Sequence, residues 1–487
     1  MVFSSTLFLF LFLPIVLLAY FIAGRKMRNI ILLVASLLFY AWGETVYVLL
    51  MLCSILVNYS FGILIDRARQ QGRSGKTSLV CAVTINLLLL GFFKYANFVI
   101  NNLNIMLQHL HIDPVNFQQV HLPIGISFFT FQAMSYVIDL YRGESKVQKN
   151  PVNIALYIAL FPQLIAGPIV RYHDIAKQIN SRKSTVEDLA CGIRRFIIGL
   201  GKKVLIANVM GRTADYIFSL PPDKLPASLA WLGAVAYTLQ IYFDFSGYSD
   251  MAIGLGRIFG FHFLENFNYP YLSSSIREFW RRWHISLSTW LRDYLYIPIG
   301  GSRGSKARTS FNLITVFFLC GLWHGASWTF AVWGLYHGLF LILERTEPIS
   351  KLLQKLPWPV RYLYAMTIVI VGWVIFRAET LSQALAYLQA MCTPGRSPLY
   401  NSQIFLLINN EFTFTLIVGI IGAFPLLRAA SEKIQAGRST STDEQSFDPM
   451  GGAVSATLQI AGLSFILLYS VAGIMGGSYN PFLYFRF

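Results

Sequence analysis

The chain has 487 residues, of which 55% are hydrophobic, 15% aromatic and only 13% charged. Soluble domains carry about 25% charged residues, so half the charge needed to wet a folded surface is missing. The apolar residues come in runs near the ~20 that cross a bilayer as helix. A soluble multidomain enzyme, a disordered tail and a coiled coil are excluded, and an all-α polytopic membrane protein is expected. The net charge of +16 sits in short loops between apolar runs. That distribution keeps cationic loops cytoplasmic, so the charge reports topology and not nucleic-acid binding, with a part of it available to an anionic ligand.

Met1 to Gly24 is uncharged and is followed by Arg25, Lys26 and Arg28. A cleavable signal peptide has its charge first; the reverse order predicts a retained first span, about 5–23, with its N-terminus outside. Further spans are predicted at about 29–42, 46–65, 78–93, 122–141, 193–218, 229–258, 309–321 with 325–343, 362–376, 412–427 and 453–475, about eleven transmembrane helices in one domain over 1–487. Pro162, Gly167 and Pro168 interrupt the apolar segment 152–170, which has basic residues on both sides. It is predicted as a re-entrant hairpin, because broken backbone at membrane depth survives only inside protein or beside a wet cavity. Both termini then fall outside, predicted periplasmic. Lys94, Arg212, Lys224, Arg377, Arg396 and Arg486 are the outside basic residues, and the other 33 of the 39 Lys/Arg are cytoplasmic. The stretch 428–452, rich in Ser, Thr, Asp and Gly, is predicted as a mobile polar loop. Five scattered cysteines form no CxxC pair or Cys/His cluster, which supports neither a disulfide framework nor a metal site.

Three features carry candidate chemistry. Residues 309–343 contain no Asp, Glu, Lys or Arg, yet hold Cys320-Gly321-Leu322-Trp323-His324-Gly325. A histidine this deep is expensive unless paired or functional. Low dielectric disfavours the imidazolium, so His324 is expected neutral and able to accept a proton as a general base. The flanking glycines let the backbone bend or approach another helix closely. Cys320, one turn earlier, is expected to be an inert core thiol. His337 would sit about 140° from His324 on a continuous helix, so the two converge only if the helix breaks.

The second feature runs from Tyr271 to Arg308. Ser275-Ile276-Arg277-Glu278 has capping-box spacing, predicting one amphipathic interfacial helix over about 275–296. On it Trp280, Trp283 and Trp290 would share one side, and Arg277, Arg281, His284, Ser288 and Arg292 the other. The arginines either anchor the helix to lipid or dock a cytoplasmic polyanion. The third is Asp244-Phe245-Ser246-Gly247-Tyr248-Ser249-Asp250 inside a predicted span. Asp244, Ser246 and Asp250, with Trp323, are candidates to line a cavity, or each carboxylate pairs with a cation such as Arg257 to hold the fold.

Phe279-Trp280-Arg281-Arg282-Trp283-His284-Ile285-Ser286-Leu287-Ser288 followed by Leu322-Trp323-His324-Gly325 resembles the membrane-bound O-acyltransferase family, whose histidine pair matches His284 and His324. Met1-Val2-Phe3-Ser4-Ser5, Phe92-Phe93-Lys94-Tyr95-Ala96-Asn97-Phe98, Leu122-Pro123-Ile124-Gly125-Ile126-Ser127-Phe128, Leu164-Ile165-Ala166-Gly167-Pro168 and Asn480-Pro481-Phe482-Leu483-Tyr484-Phe485 extend the resemblance to nearly the whole chain, toward the bacterial alginate O-acetyltransferase branch. The resemblance implies helices around a central funnel in the bacterial inner membrane, with His324 catalytic and His284 the second active-site residue. It implies acetyl-CoA as donor and no bound cofactor. Acetyl groups would pass to periplasmic acetyltransferase partners with Ser-His-Asp-type sites and then to exopolysaccharide. Arg277, Arg281 and Arg292 are the expected donor-binding residues. Cellulose or peptidoglycan as the acceptor, or an acyl or polysaccharide transporter without chemistry, are the alternatives.

Overall fold

The computed structural model describes residues 1–393, 408–426, 449–477 and 479–482, and every regular element within them is a helix. The polar loop predicted at 428–452 lies outside the described residues as far as position 448; its last residues open the helix Pro449–Gly476. Four described helices are long and apolar enough to cross a bilayer: Tyr47–Gln70, Lys76–His109, Trp358–Arg377 and Thr457–Gly476. Phe8–Ile22, Arg28–Ala41, Trp328–Leu343 and Asn410–Gly422 are shorter and equally apolar. Their outward faces stay greasy, with Ile22, Leu38, Leu88, Leu363 and Phe465 all exposed. So large an apolar exterior suits lipid and not water.

The helix Ala227–Ile258 forms the axis, buried along nearly its whole length. Its most extensive packing is against Val186–Gly201. Glycines set that crossing: a Cβ on Gly192 would meet the Gly254 carbonyl at 2.6 Å, and one on Gly199 the Gly247 carbonyl at the same distance. Close backbone approach of this kind is how helices associate where burial alone gives no driving force.

Charges across the same crossing are matched. Asp250 binds Lys202 (2.7 Å) and Arg195 (2.8 Å), and Asp244 binds Lys203 at 2.6 Å with both partners buried. The adjacent lysines, which open the π-helical turn Lys202–Ala207, thus reach carboxylates six positions apart. Arg257, the partner anticipated from sequence, instead faces Asp188 at 3.9 Å.

Two expectations are corrected. Lys94 is not an outside loop charge: the predicted span 78–93 continues to His109, and Lys94 lies buried within it. The amphipathic helix over 275–296 is not continuous. It divides into Ile276–Arg282, Ile285–Leu291 and a π-helical turn Arg292–Tyr296. Its tryptophans Trp280, Trp283 and Trp290 are buried in protein, not laid on lipid. Trp290, for instance, stacks on Phe131 at 3.7 Å.

The segment 152–170 breaks at Leu160 between Pro151–Ala159 and Phe161–Leu164 and is almost entirely buried. After it, the short helix Tyr172–Asn180 sits among the basic residues that the charge pattern assigns to the cytoplasmic side. Arg171 binds Asp174 (2.9 Å) and Asp293 (2.6 Å). His173 Nδ1 lies 2.9 Å from Asp139, whose other oxygen accepts from the Tyr294 hydroxyl at 2.6 Å.

Two predictions follow from these pairs. Hydrogen bonds to Asp139 and Asp174 raise His173 to about 9 from its ordinary 6.5. A raised folded-state value stabilises below the unfolded one and is lost as pH climbs through the folded one. Wild type should therefore melt above His173→Gln at pH 6 and approach it by about pH 9; a constant difference across that range would contradict the ionic account. Removing one member of a buried pair costs about 3–5 kcal/mol, so Lys203→Ala and Asp244→Ala should each lower the melting temperature sharply, while Lys203→Met/Asp244→Leu together should recover much of the loss.

Candidate active site

Ser305 starts the helix Lys306–His324, its hydroxyl accepting from the Arg308 N–H at 3.2 Å. The helix ends on His324; Gly325 is extended, and Trp328–Leu343 returns alongside. Side chains on Gly321 and Gly334 would overlap the backbones of Phe330 and Phe317, so these two glycines permit the tight hairpin. His324 is 5% exposed. Its ring sits against Trp323 (5.1 Å between centroids), Trp333 (5.2 Å) and Phe376 (5.3 Å), each nearly edge-on.

His284 reaches the same place from another break. Ser275 caps the helix Ile276–Arg282, accepting from Glu278 N at 3.1 Å. Glu278 does not reach back to Ser275 as the full capping box requires, but to the N–H of Ser274 at 2.9 Å. A second anchor lies across the helix start, where the Glu344 carboxylate accepts from the N–H groups of Ile276 (2.6 Å) and Arg277 (3.0 Å). The helix ends at Trp283, which is extended, and His284 then takes a left-handed conformation, φ 44°. For a non-glycine residue that conformation costs of order 1–3 kcal/mol and collects at functional sites. The break turns the imidazole away from the exposed Arg277 and Arg281 and into the interior.

Asn266 holds it there. Its Oδ1 lies 3.0 Å from His284 Nδ1 and accepts from the Ser286 hydroxyl at 2.9 Å. A carbonyl oxygen only accepts, so Nδ1 carries the hydrogen and Nε2 is left as the basic nitrogen. The His284 and His324 ring centroids are 6.5 Å apart.

Around the pair is a set of buried polar atoms without hydrogen-bond partners among the described residues: His284 Nε2, His324 Nδ1, both nitrogens of His337, and the indole N–H groups of Trp280, Trp323, Trp333 and Trp373. Each such group costs about 1–3 kcal/mol, and a cluster of them marks a place where something else supplies the partner. Trp333 lies 5.2 Å from both His324 and His337, so the hairpin break brings two histidines onto one indole. Ser246 also has a buried, unpartnered hydroxyl, whereas Asp244 and Asp250 are engaged by the cations named above. Cys320 is buried one turn before His324.

Of the expected donor-binding residues, Arg277 and Arg281 are exposed, and Arg292 is exposed but bonded to Asp293 at 2.7 Å. One trio with ligand spacing, Asp139, Glu144 and His173, occurs among the described residues. Its Asp139 oxygens are already taken by Tyr294 and His173, which makes it part of the ion-pair network.

Sequence reasoning did not single out Asn266 or Lys94. Lys94 donates to the Trp323 carbonyl, next to His324; its signal was a lone lysine followed by a stretch to His109 without Asp, Glu, Lys, Arg, Gly or Pro, through which the helix can continue. Asn266 carried no signal, since it lies in an irregular stretch 18 residues before the histidine it orients.

The pattern of the membrane-bound O-acyltransferase family matches residues 126–376, a span that contains both histidines. Over the full length of both proteins, the chain is 43% identical to "Probable alginate O-acetylase AlgI" of Azotobacter vinelandii. It is 37% identical to a peptidoglycan O-acetyltransferase of Helicobacter pylori, across 80% of each chain. It is 30% identical to a teichoic acid D-alanyltransferase of Bacillus subtilis, across 45% of this chain and 58% of that one. The chain belongs to the membrane-bound O-acyltransferase family and is a multi-pass membrane O-acyltransferase.

Proposed function

We propose that this protein is an O-acetyltransferase of the bacterial inner membrane that takes acetyl groups from cytoplasmic acetyl-CoA and delivers them outward for exopolysaccharide acetylation, with alginate as the final acceptor. The observation that carries the chemistry is the meeting of His284 and His324, each with an unpartnered ring nitrogen, inside one buried aromatic cage. Apolar walls exclude water, which would otherwise compete for the thioester.

In this mechanism His324 is the general base. It removes the proton from the acceptor hydroxyl as the oxygen attacks the thioester carbonyl; the new C–O bond forms, the C–S bond breaks, and the proton passes to the departing thiolate. His284, fixed by Asn266, orients the reacting carbonyl or the leaving thiol. Trp323 and Ser246 line the cavity, while Asp244 and Asp250 hold its wall through their ion pairs. The exposed Arg277 and Arg281 receive the donor's phosphates, with Arg292 beside them. Acceptors are periplasmic partner proteins with Ser-His-Asp-type sites. About eleven crossings with both termini periplasmic complete the topology. Peptidoglycan as acceptor is the second reading, favoured by the Helicobacter pylori relative.

General-base assistance is worth about 10²–10⁴-fold in rate. His324→Ala should lose turnover by that amount in purified protein given radiolabelled acetyl-CoA, with its melting temperature near wild type. Thioester consumption that continued undiminished in the variant would remove His324 from the mechanism, and no consumption by wild type with an acceptor present would favour a transporter. The rim is tested separately. Arg277→Ala/Arg281→Ala should raise the KM for acetyl-CoA with kcat little changed, by roughly 0.2–1 kcal/mol per exposed charge, and the difference should shrink as salt is added.

A further inference from the structure

An α-helix leaves its last carbonyls without intrahelical partners, and at bilayer depth water does not take them. The helix that ends on His324 covers three of them in succession. Gly321 O accepts from Gly325 N at 3.3 Å, Leu322 O from the Tyr95 hydroxyl at 2.9 Å, and Trp323 O from the Lys94 ammonium. The last two donors are neighbours on the helix Lys76–His109. Lys94 also donates to the Ser127 hydroxyl at 3.1 Å, so three helices meet at one ammonium. Its nitrogen lies 5.6 Å from the centre of the ring of Trp323, the residue before His324.

The pairing of this lysine is unusual. Buried lysines ordinarily find an acid, as Lys202 and Lys203 do here. Lys94 has no ion pair with a carboxylate among the described residues, and its neighbours are a carbonyl, a hydroxyl and an indole face. A cation at a helix carboxyl end complements the negative end of the dipole. Fold stability alone does not call for the charge, because an apolar chain of similar length would avoid its desolvation. An ammonium in this position instead fixes the peptide that carries His324.

We propose that Lys94 is a positioning residue for His324, clamping the carboxyl end of the His324 helix together with Tyr95 so that the imidazole points at the reacting centre. The proposal rests on the reading of His324 as general base. It assigns a catalytic consequence to a helix that contributes no side chain to the histidine pair, and it separates Lys94 from the basic residues that set topology or bind donor.

The test uses the full-length protein in detergent or nanodiscs, with radiolabelled acetyl-CoA, and compares wild type, His324→Ala, Lys94→Met, Lys94→Gln and Tyr95→Phe. Misplacement of a reacting group by about 1 Å can cost 10²-fold in rate. Lys94→Met should therefore lose about that much in kcat at unchanged donor KM, while eluting and melting like wild type. Lys94→Gln keeps a donor for the carbonyl and should recover part of the loss; Tyr95→Phe should show a smaller loss of the same kind. The proposal is overturned if Lys94→Met keeps kcat within twofold of wild type, if its defect is in KM alone, or if its activity falls only in step with the folded fraction. His324→Ala keeps the two ideas apart. An active His324→Ala defeats the general-base reading itself, whereas an inactive His324→Ala beside a fully active Lys94→Met defeats only the positioning role.

Discussion

Backbone polar groups at bilayer depth cannot be left to solvent, and the architecture of this protein is organised by that constraint. It breaks helices in its interior at Leu160, His284 and Gly325, and each break is covered by groups from elsewhere in the chain. Ser36 accepts from the Phe161 N–H at 3.0 Å, the Asn266 carbonyl from the Ile285 N–H at 2.9 Å, and Tyr95 and Lys94 serve the carbonyls before Gly325. The candidate active site is where two of these breaks converge. Ending a helix is what lets a histidine leave the helix surface and face a partner from a distant part of the sequence.

The charges are arranged in three ways. Aspartates on the axial helix are neutralised by lysines and an arginine of its neighbour. Around the short helix Tyr172–Asn180 runs a linked set of arginines, carboxylates and His173. In the aromatic cage Lys94 binds the Trp323 carbonyl without a carboxylate partner among the described residues, and several polar atoms there are without hydrogen-bond partners. A preorganised, water-poor site of this kind strengthens every interaction made inside it.

Membrane character, helical class and the buried His324 were readable from the sequence because they rest on composition and on a residue that is expensive where it stands, whereas His284 was paired with it only through the family resemblance. Gly321 beside His324 was readable for the same reason, since only a missing side chain tolerates the backbone of Phe330 so near. The kink at His284 was not. Periodicity across 275–296 is that of a continuous amphipathic helix, and only the tertiary pull of Asn266 and the burial of Trp283 and Trp290 overrides it. Lys94 was misplaced because hydropathy treats a lysine at the end of an apolar run as a boundary. In the fold the same lysine has carbonyl and hydroxyl partners, and the helix passes through it.

Glu344 has a mechanical consequence. Its two carboxylate oxygens grip the first turn of the Ile276–Arg282 helix from the end of the helix Trp328–Leu343 that returns from His324. The helix that carries Arg277 and Arg281 is therefore tied to the same hairpin as the His324 imidazole, while both arginine side chains are exposed. An exposed basic edge and a buried histidine thus share one lever, with adaptable side chains at one end and a fixed backbone at the other.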